Sequence, residues 1–119
     1  MTDLEFVKQL GEDYASIIEN AKKQKCEVNE VQLNKLNEIV KTLQACIKEF
    51  GGEIEDLDLS PALLSGGVTA NFIVLHLHGD MVKRFADAIR EASAITFDAT
   101  ATGEVCISVT VPDVFKTID

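Results

Sequence analysis

The spacing of the apolar residues changes once along this chain, at Gly51–Gly52, and that change limits the folds open to it. Before the glycines the spacing is helical. Val7, Leu10, Tyr14, Ile17 and Ala21 recur at intervals of three and four, with Phe6 and Ile18 widening the stripe. Leu33, Leu36, Val40, Leu43, Ile47 and Phe50 repeat the pattern as a heptad seam, flanked by Ile39 and Cys46. After the glycines the period is two, the signature of strands that bury one face.

The helix ends are written in the sequence. Thr2 with Glu5, and Asn29 with Gln32, are Ser/Thr/Asn-x-x-Glu/Gln patterns at helix starts. Gly51 and Gly52 follow the last apolar turn of the second helix, where a helix most readily stops. The run "KKQKCEV" breaks the period between the two helices. A linker that short predicts an antiparallel hairpin over residues 1–50.

Residues 51–119 predict a β-β-α-β-β part. "EIEDLDL", "VTANFIVLHLH", "AITFDAT" and "EVCISVTV" read as strands, and "SPALLSGG" as a loop. "GDMVKRFADAIREAS" reads as a third helix, with Val82, Phe85, Ala86, Ile89 and Ala92 on its buried side. Pro112 ends the sheet, and "DVFKTID" is a tail with Val114, Phe115 and Ile118 available to dock. The β-branched strand "EVCISVTV" belongs in the middle, which gives a four-stranded antiparallel sheet of order 1-2-4-3 with one face on helices. The expectation is one α+β domain over residues 1–119, since 51–119 alone would make a thin core.

The last hairpin has a definite register. Apolar Ile95, Phe97 and Ala99 must share a face with Val105, Ile107 and Val109. A three-residue loop at 101–103 achieves this and places Asp98 opposite Cys106. The second strand is apolar on both sides. Ile73, Leu75 and Leu77 are expected to face the third helix. Phe72 and Val74 then share the other face with His76, His78 and the polar residues of the neighbouring strands.

Two functional readings follow. In the first, apolar Phe72 and Val74 on a polar face, together with the extra apolar positions Phe6, Ile18, Ile39 and Cys46 on the two helices, mark covered surfaces. The cover is either the chain itself or a second copy, as in a four-helix bundle. The chain is then a non-enzymatic interaction module, a possible homodimer. In the second reading, His76 and His78 point the same way from one strand. With Asp98 and Cys106 beside them they would form a ligand set for a metal such as Zn. A Cys–His–Asp nucleophile drawn from the same residues lacks a pocket and oxyanion donors, so no catalytic residue is assigned.

Charge excludes other classes. The net charge of −9 opposes nucleic-acid phosphates and anionic membranes. Residues 51–119 carry eleven acidic and four basic side chains, against nine and seven in residues 1–50. No run is long and apolar enough to span a bilayer. Three cysteines without short spacing form neither a disulfide framework nor a zinc module, and no cofactor motif is present. With no basic-then-apolar leader at the start, a cytoplasmic location with reduced thiols is the expectation.

Overall fold

Helix α1 spans Asp3–Lys23 and α2 spans Glu30–Glu49. In this computed structural model the described residues are 1–62, 66–76, 94–99 and 104–117, with 94–99 described through the backbone alone. Both helix starts are capped as the sequence predicts. The Glu5 N–H donates to Thr2 Oγ1 at 3.2 Å, and the Val31 N–H donates to Asn29 Oδ1 at 3.2 Å. Gln32 does not complete the second capping box; its amide donates to the Pro112 carbonyl at 2.8 Å.

At the end of α2, Gly51 has φ +76, its N–H bonds to Lys48 O, and the Gly52 N–H bonds to Ile47 O at 2.8 Å. This left-handed glycine closes two carbonyls that the helix leaves open. The two helices run antiparallel, because Asp3 at the start of α1 pairs with Lys48 at the end of α2, and Tyr14 bonds to Asn37 midway.

Strands β1 (Cys26–Val28), β2 (Glu53–Ala62), β3 (Gly67–Leu75), β4 (Ala94–Ala99), β5 (Val105–Val111) and β6 (Phe115–Thr117) form two antiparallel sheets. The larger has four strands in the order β2-β3-β5-β4. Ala99 pairs with Val105, Phe97 with Ile107 and Asp98 with Cys106, the register expected from the parity of the apolar residues and a three-residue loop. The smaller sheet, β1-β6, is a correction to the sequence reading. The break in period between the helices is a strand, and the docked tail is its partner. Glu27 lies opposite Lys116 across this pair. The Asn29 N–H also bonds to Val114 O, so the end of the chain ties the helix–helix linker to the sheet.

Other boundaries shift. β2 continues through Pro61 to Ala62, into the expected loop; proline is tolerated there because β2 is an edge strand. A bulge between Ile54 and Asp56 leaves Glu55 as an extra residue. The bulge turns Ile54 to the same side as Leu57 and Leu59, and all three are buried. The third helix expected over 79–93, and the loop over 101–103, lie outside the described residues.

The core lies between the helices and one sheet face. Phe6, Leu10 and Ile17 of α1 and Leu36, Ile39, Val40, Leu43 and Ile47 of α2 pack on Leu57, Phe72, Val74, Ile107 and Val109. The inner face of β3 is therefore Val68, Ala70, Phe72 and Val74, and the expectation of Ile73 and Leu75 as inner residues is corrected: both are half-buried. The reason is that "FIVL" is apolar on both sides, so a period of two fixes the alternation without choosing the side. Packing of the helices makes the choice.

Candidate functional site

The buried stripe of α1 is Phe6, Leu10, Ile17 and Ala21; it keeps Leu10, Ile17 and Ala21 of the stripe that the spacing predicts and is rotated toward Phe6 and away from Val7 and Tyr14. The rotation leaves apolar surface outside. Leu4 is 80% exposed, Val7 64% and Ile18 40%. These residues, with Gly11 and Ala15 between them, lie within a narrow arc of the helix circumference at 100° per residue. On α2 the corresponding surface is polar, and its one large exposed apolar residue is Val31.

Between this stripe and α2 runs a cleft of about 410 Å³. One wall is Val7, Leu10, Gly11 and Tyr14 of α1, with Phe6 in the floor; the other is Leu33, Asn34, Asn37, Lys41 and Gln44 of α2. The Tyr14 hydroxyl donates to Asn37 Oδ1 at 3.2 Å across it. Burial pushes the Tyr14 phenol up to about 12, so it stays protonated and acts as a donor. An added Cβ on Gly11 would meet nothing within 4 Å, so the middle of the stripe is open.

The opposite side of α1 guards the sheet. Asp13 Oδ2 accepts the Leu59 N–H at 3.2 Å, and Asp13 Oδ1 accepts the Gln9 amide at 3.0 Å. The Met1 amine donates to Ile54 O at 3.0 Å. The bonds to the Leu59 N–H and the Ile54 carbonyl occupy groups of edge strand β2 that would otherwise be open to another strand. Burial raises the Asp13 carboxyl above its ordinary value, against the lowering effect of its two hydrogen bonds.

The second sheet face carries a polar ladder. Ser108 Oγ donates to Asn71 Oδ1 at 2.7 Å, Asn71 Nδ2 donates to Ser60 Oγ at 3.5 Å, and the Thr69 and Thr110 hydroxyls lie 2.9 Å apart. Cys106 is on this face, half-buried, opposite Ile73 and Asp98.

Of the expected metal ligands, the described pair His76 and Cys106 are set apart. β3 ends at Leu75, and His76 stands past it, exposed, with φ +62. Cys106 pairs with Ile73, so His76 is three residues further on, roughly 10 Å along the strand. Phe72 and Val74 share a face with Ile107 and Val109, away from Cys106. His78 and the Asp98 side chain lie outside the described residues. Among the described residues, no three His, Cys, Asp or Glu side chains are grouped to hold a metal ion.

The interface candidates are placed differently from one another. Phe72, Val74 and Ile39 are buried in the chain's own core, and Cys46 is half-buried against it. What covers Phe72 and Val74 is the helix pair of the same chain. Burial, then the Glu49 carboxylate, raises the Cys46 thiol. Of the exposed apolar residues, the sequence reading passed over Leu4 and placed Val7 on the buried stripe, while Ile18 was among the positions expected to need a second surface. Their signal was present as an α1 stripe too broad for one neighbour.

No helix among the described residues is long and apolar enough to cross a membrane. Protein-family models, curated proteins and solved structures offer no match to the chain.

Proposed function

We propose that this chain is a protein-interaction module without catalytic chemistry of its own, and that it associates with a second copy of itself. The observation that carries the reading is the exposed stripe Leu4, Val7 and Ile18 on a helix that already buries Phe6, Leu10, Ile17 and Ala21 in the core of its own chain. Apolar side chains clustered at this exposure on one helical face are stabilised when a partner removes them from water, at about 25 cal/mol per Å². The net charge of −9 favours a protein partner over nucleic acid or an anionic membrane, and three free thiols fit a cytoplasmic setting. The same reading takes the connection between β3 and β4 as the third helix, which would complete a β-β-α-β-β unit.

Light scattering across low to high micromolar concentration tests it. The expected mass is twice 13.0 kDa at the upper end. Two copies of −9 repel, so added salt should strengthen association by screening. Val7→Glu and Ile18→Glu should each remain monomeric with unchanged circular dichroism. A strict monomer at every concentration and salt would overturn the proposal.

A further inference from the structure

The exposed stripe of α1 is symmetric about its own midpoint. Leu4 and Ile18 stand seven residues either side of Gly11, and Val7 and Ala15 stand four either side. Steps of four and seven residues are about one and two turns, so all five positions share one face. All five are exposed. An interface between two identical copies related by a two-fold axis must use a patch that complements itself. A stripe with this symmetry meets that requirement, and a different partner would have no need of it.

Resting on the self-association reading, we propose that the second copy docks α1 against α1, antiparallel, with the helices crossing at Gly11. Leu4 then lies level with Ile18 of the second copy, and Val7 with Ala15 of the second copy, large beside small. The open space over Gly11 lets the helices approach at the crossing. Charges flank the seam in the same register. Lys8 comes within about two residues' rise, roughly 3 Å, of Glu12 of the second copy, and the symmetry makes this pair twice. Further out, Glu5 and Glu19 of the second copy meet as like charges.

Disulfide trapping tests the register in chains carrying Cys26→Ser, Cys46→Ala and Cys106→Ser. Leu4→Cys mixed with Ile18→Cys should cross-link under mild oxidation. Neither variant should cross-link alone, because like positions lie about 21 Å apart at 1.5 Å per residue. Lys8→Glu should weaken dimerisation about tenfold, and Lys8→Glu with Glu12→Lys in one chain should restore it. Leu4→Cys cross-linking to itself, or a dimer that traps at neither pair, would overturn this arrangement while leaving self-association standing. A monomer in light scattering before any cysteine is introduced would overturn both.

Discussion

Phe6 of α1 and Phe72 of β3 stack with ring centroids 6.5 Å apart and planes at 23°. The pair joins the helical and the sheet halves of the chain at the centre of the core, and both rings are buried. Offset aromatic pairs contribute beyond the area they bury. Phe72→Ala should therefore cost about 3–5 kcal/mol, and Phe72→Leu clearly less, in urea unfolding. A loss under about 1 kcal/mol for Phe72→Ala would place the centre of the core elsewhere.

Gly66 and Gly51 both adopt left-handed backbone, and they differ in their surroundings. A Cβ on Gly66 would come 3.1 Å from the Phe115 carbonyl oxygen, whereas one on Gly51 would meet nothing within 4 Å. Gly66 also accepts the Phe115 N–H at 2.8 Å, so its position is tied to β6. Gly51→Ala should cost about 1 kcal/mol from conformation alone. Gly66→Ala should cost more and should also increase amide exchange in β1 and β6. Equal costs for the two substitutions would show that the close approach to Phe115 is easily relieved.

His76 adopts φ +62 while exposed, a conformation that glycine takes without the cost of a Cβ. His76→Gly should stabilise the fold by up to about 1 kcal/mol, and His76→Val should destabilise it. A measured loss with His76→Gly would reveal a stabilising contact made by the imidazole.

Two carboxyls set a pH dependence of defined sign. Burial raises Asp13, and the hydrogen bond and charge of Glu104 raise the exposed Glu55. Each group holds its proton more tightly in the folded chain than in the unfolded one. Their stabilisation is therefore fully present below the ordinary carboxylate value and is lost as pH rises through each raised value. Urea midpoints should increase on mild acidification from neutral pH, and the increase should shrink in Asp13→Asn with Glu55→Gln. An unchanged slope in that double variant would assign the effect to other carboxyls.

Sequence by itself determined the elements whose causes are local. Caps at Thr2 and Asn29, the glycine stop after α2, and the change of period at Gly51–Gly52 depend on neighbours a few residues away. The register of β4 on β5 followed from parity together with a short loop, since parity keeps the apolar residues on one face in alignments two residues apart and the loop length selects among them. Tertiary structure decided which side of a two-sided pattern is inside. "FIVL" is apolar on both faces, so only the seating of α1 and α2 could bury Phe72 and Val74 and move Cys106 to the other face. The same seating rotated α1 onto Phe6, Leu10 and Ile17 and left Leu4, Val7 and Ile18 exposed. It also made β1 and β6 a sheet, because each has only three residues and neither strand has a partner near it in sequence. Among the expected metal ligands, sequence spacing gave proximity along the chain, while strand pairing and the end of β3 set the distance between His76 and Cys106; His78 lies outside the described residues.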